Sequence, residues 1–263
     1  MKDLKYQYHL QICFSEPARE HRFTVKSIPK SDARQKILTQ KVRIVPNEFL
    51  CDSRDSFGNL CVYGDAEKEH KLFEVFVEGQ ARTGLSPWEE EVEDKTAWIF
   101  KYPSVYTKPG PWLLKLFRET EPDSCMKNLD QALFLMDQVA GVLKYEKGVT
   151  DISTTAEQAA EKGAGVCQDF AHIFIALLRM RGIPARYVVG MLMGEGESHA
   201  WVEVLDENRW YGLDPTNRLM VKEDHIKISC GRDYKDCILN QGVFLGGGKQ
   251  IQTVKVIVEE KGV

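Results

Sequence analysis

The chain has 263 residues, of which 43% are hydrophobic and 28% charged, and a formal net charge of −4. Those are the proportions of a globular protein with one large domain or two modest ones. The sequence shows no clustered basic face for nucleic acid, no run near the ~20 apolar residues that cross a bilayer, and no apolar signal core after Met1. Neither a nucleic acid nor a membrane is therefore expected as a partner, and the expected location is cytoplasmic.

The first hundred residues read as β-rich. Tyr6, Tyr8, Leu10, Ile12 and Phe14 fall on one face of an alternating segment. Further strands are predicted at residues 38–45, 60–64, 72–77 and 97–100, with Asp55-Ser56-Phe57-Gly58-Asn59 as a turn between two of them. The pattern is that of a small antiparallel sandwich. The run Trp88-Glu89-Glu90-Glu91-Val92-Glu93-Asp94 reads as a solvated acidic loop. Pro103, Pro109, Gly110 and Pro111 then punctuate the chain, which places a boundary between an N-terminal β-rich domain, 1–105, and a second domain, 106–263.

In the second domain a helix is predicted over 128–143, and a shorter one over 154–162, with Thr155-Ala156-Glu157-Gln158 as its cap and first turn. Gly163 and Gly165 form a loop. A helix starts at Cys167 and stops at Gly182, with Pro184 beyond it. Its apolar positions cover so wide an arc that it must be central and buried. Strands follow at 185–193, 199–205 and 209–213, the last two joined as a hairpin, and residues 251–259 alternate again.

The chemistry lies in three short stretches: Gly165-Val166-Cys167-Gln168-Asp169, Ser198-His199-Ala200-Trp201-Val202-Glu203 and Leu213-Asp214-Pro215-Thr216-Asn217. Cys167 opens the buried helix, whose positive end favours a thiolate and whose free N–H groups can bind an oxyanion. If Leu205 pairs with Trp210 in the hairpin, Asp214 lies opposite Trp201, on the face of His199 and diagonal to it. A register slip of one residue would put the carboxylate on the wrong face. The three residues then supply a nucleophile, Cys167, a general base, His199, and an orienting acid, Asp214. Gly165, Gln168 and Trp201 are the expected substrate contacts. Taken singly, each residue has a plainer reading: a core cysteine, a structural histidine, a turn aspartate. Their conjunction points to a site.

Several other residues read as structural. His172 is expected as a packed core histidine, and Asp169 as a cap for the Cys167 helix. The cysteines Cys13, Cys51, Cys61, Cys125, Cys167, Cys230 and Cys237 are expected as free thiols. Cys230 and Cys237 near His225 lack the C-x-x-C spacing of a metal site. No metal and no cofactor are expected.

These stretches, with Gly182-Ile183-Pro184-Ala185-Arg186-Tyr187 and Gly231-Arg232-Asp233-Tyr234, resemble the bacterial transglutaminase-like superfamily, whose members are often described as cysteine proteases. Asp55 with Gly58-Asn59, and His70 before an apolar strand, resemble the N-terminal β-domain that accompanies that core. The resemblance implies an α+β fold: a papain-like core of helices on an antiparallel sheet, preceded by an all-β sandwich-like domain. It implies a Cys-His-Asp triad at Cys167, His199 and Asp214. The expected activity is acyl transfer through a thioester on a peptide or protein substrate, as hydrolysis of peptide or isopeptide bonds. The alternatives are amine acyl transfer to glutamine side chains, or a non-catalytic binding protein on the same fold.

Overall fold

The computed structural model describes residues 1–90 and 95–262. The strands β1 (Lys2–Val25), β2 (Gln35–Val45), β3 (Phe49–Arg54), β4 (Leu60–Ala66), β5 (His70–Thr83) and β6 (Trp88–Glu90) come first. A 3-10 turn, Lys95–Lys101, leads to helices α1 (Pro111–Glu119) and α2 (Asn128–Val142), the short strand β7 (Lys144–Tyr145), α3 (Ala156–Lys162), the short strand β8 (Ala164–Gly165) and α4 (Cys167–Met180). Strands β9 (Ala185–Leu192), β10 (Gly194–Gly196), β11 (His199–Asp206), β12 (Arg209–Asp214), β13 (Leu219–Met220) and β14 (His225–Gly231) follow. A second 3-10 turn, Tyr234–Cys237, precedes β15 (Asn240–Gly246) and β16 (Gln250–Glu260). The fold is mixed α+β. Among the described residues no helix is long and apolar enough to cross a membrane.

The alternation read from residues 6–14 belongs to a longer strand. Leu4, Tyr6, Tyr8, Leu10, Ile12 and Phe14 are buried along β1. Its first half pairs with β5 and β16; past a register shift between Cys13 and Ala18 its second half pairs with β4 and β15. Two β-paired regions therefore hang on one continuous strand. Every pairing in this sheet is antiparallel, with β2 joined to β5 and β3 to β4. Strands from both sides of position 105 share it, since β10, β15 and β16 pair here. The second sheet runs β13-β12-β11-β9-β14, and β6 from the first stretch joins β12.

Helix α4 packs against β9 and β11 of the second sheet and against α1, α2 and α3. From Asp169 to Arg179 every residue is buried, so the wide apolar arc of the sequence marks a central helix. It ends at Gly182, whose φ of +72° fits the glycine stop signal. One apolar core runs from Leu4 and Tyr6 of β1 through Ile173 and Phe174 of α4 to Val189 and Val202 of the second sheet. Arg179 pins the irregular segments around this helix. Its guanidinium donates to the carbonyls of Phe100, Ala185 and Arg232 and to Thr107 Oγ1, at 2.6–3.0 Å.

Three expectations change. Residues 97–100 belong to the 3-10 turn rather than a strand: Ala97 and Phe100 are buried and Trp98 and Ile99 exposed, the spacing of a helical turn. The acidic run is not a solvated loop over Trp88–Glu90, which pairs with Arg209–Tyr211; Glu91 to Asp94 lie outside the described residues. Pro111, read only as punctuation, instead opens helix α1 (Pro111–Glu119). Glu157 caps it by accepting from the N–H groups of Gly110, Trp112 and Leu113 at 2.7–3.0 Å. The capping box at Thr155 and Gln158 is present as read.

Candidate active site

Cys167 is the first residue of α4 and half-buried. The residue before it, Val166, has no side-chain acceptor, so the helix start is held from within. Asp169 reaches back to accept the Val166 N–H at 2.7 Å and the Thr150 hydroxyl at 2.7 Å. Burial raises the Asp169 carboxyl above its ordinary value, against those two hydrogen bonds. Gly165 makes this possible: a side chain there would overlap the Asp169 carboxylate. Gly165 is itself buried, and its carbonyl accepts from the Glu146 N–H at 2.9 Å. Its role in the structure is to admit Asp169, and it offers no surface to a substrate.

The hairpin has the expected register. Leu205 pairs with Trp210 and Val202 with Leu213. One step further puts Asp214 opposite Trp201 and diagonal to His199 on the same face. His199 Nε2 and Asp214 Oδ2 are 2.7 Å apart. Nε2 is thus committed to the carboxylate, which leaves Nδ1 as the other ring nitrogen; the Cys167 thiol lies close enough to the same imidazole to help raise its pKa. The structure brings together all three residues that the sequence singled out.

Asp214 is fully buried and receives five hydrogen bonds. Oδ1 accepts from the Thr216 and Asn217 N–H groups at 3.0 and 3.1 Å, and Oδ2 from His199, from Asn217 Nδ2 at 2.8 Å and from His225 at 3.3 Å. Burial alone would raise its pKa, but the bonds from His199 and His225, the imidazolium charge and Asn217 hold it well below the carboxylate range. The opposite balance holds for His199. Burial pulls it down, yet the hydrogen bonds and charges of Asp214 and Cys167 lift it to about 10. The pair therefore favours an ionised carboxylate beside an imidazolium.

Trp201 was expected to touch substrate, and the structure corrects this. It is 1% exposed and packed against Val188, Val221 and Cys230, with its ring 6.3 Å from that of His199. Gln168 lies partly exposed beside Cys167, and its Nε2 donates to the Ile152 carbonyl at 3.4 Å. His172 is a core histidine, fully buried between Tyr106 and Tyr187; its Nε2 accepts the Tyr234 N–H at 3.1 Å. Burial lowers its pKa to about 3. All seven cysteines are free.

Three neighbours escaped the sequence reading. His225 was considered only beside Cys230 and Cys237, but its ring turns to Asp214. Asn217 could have been found, because an asparagine three residues after a buried aspartate can close an Asx turn on it. Tyr145, half-exposed, sits near enough to Cys167 for the thiolate charge to raise its phenol, after burial. Among the described residues His199, Asp214 and His225 are the group whose ligand atoms could share an ion, lying within 4.8 Å of one another. At 2.7 and 3.3 Å from Oδ2, both imidazole nitrogens stand at hydrogen-bond distance from the carboxylate.

Behind the site lies a buried ion cluster. Glu203 Oε2 accepts from Arg186 Nε and Lys227 Nζ, both at 2.7 Å, and Glu89 of β6 binds the same two cations at 2.7 and 3.0 Å. Burial would raise Glu203, but Arg186 and Lys227 hold it below its ordinary value.

Fold and site define a class: an α+β protein with cysteine, histidine and aspartate converging at the start of a buried helix. Residues 119–215 match the transglutaminase-like superfamily core, and residues 4–82 match the bacterial transglutaminase-like N-terminal region. The chain belongs to the transglutaminase-like superfamily and carries that bacterial N-terminal region ahead of the core. An uncharacterized protein of Mycobacterium leprae is 27% identical over 263 residues, 89% of this chain and 90% of the relative. One of Mycobacterium tuberculosis is 27% identical over 251 residues, 82% of this chain and 79% of the relative. A Cytophaga hutchinsonii protein described as a "putative cysteine protease" shares the fold, with a TM-score of 0.82 at 22% identity, over 100% of this chain and 91% of that one.

Proposed function

We propose that the chain is a cysteine-dependent acyl-transfer enzyme that hydrolyses peptide or isopeptide bonds. The observation that carries this is the convergence of three side chains: His199 Nε2 stands 2.7 Å from Asp214 Oδ2, and Cys167, the first residue of α4, lies close enough to the same imidazole to help raise its pKa. In this reading His199 Nδ1 takes the thiol proton, and the thiolate attacks the scissile carbonyl carbon. The carbonyl oxygen becomes an oxyanion facing the N–H groups that open α4. His199 returns its proton to the departing amine, which leaves a thioester on Cys167. A water, deprotonated by His199, then attacks the thioester and releases the acid and the thiol. Asp214 fixes the imidazole orientation and stabilises its cationic form throughout.

A cleft of about 920 Å³ supports a peptide as the acyl donor. Phe49, Tyr63 and Val243 form part of its floor on the first sheet, and Ile152 and Tyr234 part of its wall. Ile152 on its wall is the residue whose carbonyl accepts from Gln168, the neighbour of Cys167 in the chain, although the triad itself does not line the cleft. Its size and exposed apolar side chains suit an extended segment with apolar residues.

The test is capture of Cys167 by an electrophilic peptide probe, with Cys167→Ala as control, followed by a peptide-library screen read by mass spectrometry. Cleavage with one water gained across the bond is the expected outcome. A gained amine with loss of ammonia from a glutamine peptide would instead make the protein an amine acyltransferase. Equal labelling of all seven thiols would overturn both.

A further inference from the structure

His225 touches the Asp214 carboxylate, and none of the sequence motifs contains it. It opens β14, a strand buried along its whole length. Its Nε2 lies 3.3 Å from Asp214 Oδ2. An ionised carboxylate only accepts, so Nε2 carries a proton, and in the Nε2–H tautomer Nδ1 presents a bare lone pair. That nitrogen has no hydrogen-bond partner among the described residues.

Nδ1 is not alone. Arg34 Nη1 and Trp201 Nε1 are also buried without a hydrogen-bond partner among the described residues. Arg34, Trp201 and His225 line one small, partly enclosed cavity of about 20 Å³ and are 9%, 1% and 6% exposed. Buried polar groups are nearly always paired, so three orphans on one cavity call for a common partner. Arg34 Nη1 does stand 4.0 Å from Glu203 Oε1, an ion-pair distance too long for a hydrogen bond.

The donor–acceptor inventory identifies that partner. Arginine and tryptophan can only donate, whereas Nδ1 of this tautomer can only accept. A water accepts a hydrogen bond from each of the first pair and donates one to the third. Asp32 and Glu203 also line the cavity, and a carboxylate there can accept its second O–H. A halide would accept from Arg34 and Trp201 but has no proton for Nδ1, and it would face those two carboxylates. The volume suits one water, which needs about 10–15 Å³.

We propose that His225 is a positioning residue of the acyl-transfer site, fixed as the Nε2–H tautomer by one water held between Arg34 Nη1, Trp201 Nε1 and its own Nδ1. It supplies a third donor to Asp214 Oδ2, which keeps that carboxylate ionised and turned toward His199. The inference rests on the acyl-transfer reading. The charged and titratable groups around His225 are Asp214 on β12, His199 and Glu203 on β11, Lys227 on β14 itself, and Asp32, Arg34 and Lys222 from the loops that close the cavity.

The test follows the pH dependence of Cys167 alkylation by iodoacetamide in the full chain, for wild type, His225→Phe, His225→Gln and Trp201→Phe, with thermal melts alongside. In His225→Phe the acid limb moves to higher pH and the rate at pH 5 falls about tenfold, the effect of one hydrogen bond to a charged group. His225→Gln, which keeps an N–H donor near the Nε2 position, recovers most of that loss. Trp201→Phe removes one donor to the water and gives a smaller shift in the same direction. Nitrogen-15 NMR of His225 in the wild type finds Nε2 protonated and Nδ1 bare. A protonated Nδ1 refutes the proposal without any variant. So does a His225→Phe profile that overlays the wild type, or an equal loss in Phe and Gln with an unchanged profile. A wild-type Cys167 no more reactive than the other thiols would sink the acyl-transfer reading itself and this inference with it. A reactive Cys167 with an unmoved His225→Phe profile sinks only the latter.

Discussion

Replacing Asp214 with asparagine isolates the electronic role of the carboxylate, because size and shape are kept. The amide can place its oxygen toward the Thr216 and Asn217 N–H groups, where Oδ1 now sits at 3.0 and 3.1 Å. Its nitrogen then takes the place of Oδ2 and donates toward His199 Nε2. That nitrogen must become the acceptor, so the imidazole proton moves to Nδ1, the nitrogen that has to receive the thiol proton. The rise of His199 from 6.5 to about 10 corresponds to ~5 kcal/mol in favour of the imidazolium. Asp214 and Cys167 share it; if half is lost with the carboxylate, roughly 2–3 kcal/mol disappears, and the wrong tautomer adds to the loss. Asp214→Asn should therefore slow Cys167 alkylation near pH 6 by on the order of 10²- to 10⁴-fold. The assay is time-resolved mass spectrometry of the Cys167 peptide, with the other six thiols as internal references. A variant that stays folded and whose Cys167 reacts at the wild-type rate from pH 5 to 9 would refute the relay.

The remaining predictions concern stability and the helix start. Glu203→Ala leaves Arg186 and Lys227 in the core with Glu89 as their one remaining carboxylate, and should cost about 3–5 kcal/mol in urea unfolding. Gly165→Ala displaces Asp169 from the start of α4; a lower melting temperature together with slower Cys167 alkylation is expected, whereas an unchanged alkylation rate would show that the cap does not position the thiol. The raised His199 stabilises the fold fully below pH 6.5, and that contribution is lost as pH rises through about 10. The unfolding midpoint should accordingly fall between pH 7 and 10, and fall less in Cys167→Ala. His172, lowered to about 3, works in the opposite sense: its contribution is present above 6.5 and lost as pH falls toward 3, so His172→Asn should flatten the acid side of the stability curve.

What the sequence disclosed follows from how local each signal is. Alternation along β1, the 3.6-residue period of α2 and the capping box of α3 are properties of neighbouring residues, and all three stand in the structure. The hairpin register was legible because a turn of fixed length fixes every pair behind it. The parts that were not legible depend on partners far away in sequence. Glu89 looks like one more charge in an acidic run until Arg186 and Lys227, 97 and 138 residues later, close on it. Trp201 looks like a groove aromatic because it shares a face with His199, yet the period of two says nothing of what covers that face. His225 gives no local hint either, since its relation to Asp214 arises across a sheet.

The same long-range contacts explain why the β-rich region accompanies this core. β14 carries His225 and lies at an edge of the second sheet, where its N–H and C=O groups would stand unpaired. Two buried carboxamides from the first sixty residues take the place of a neighbouring strand. Gln35 Nε2 donates to the Lys227 carbonyl while Gln35 Oε1 accepts the Lys227 N–H, both at 2.8 Å. Asn59 does the same at Cys230, at 2.8 and 2.9 Å. Each amide satisfies a donor and an acceptor at once, which a hydroxyl or a carboxylate cannot do with one fixed geometry. The fixed edge holds β14, β14 holds His225, and His225 meets Asp214. Gln35→Ala and Asn59→Ala should therefore cost more than their buried hydrogen bonds alone. Hydrogen exchange should rise along His225–Gly231, and Cys167 alkylation should slow although neither residue touches the thiol. If exchange along β14 rises while alkylation is unchanged, the β-rich region supports the sheet without reaching the site.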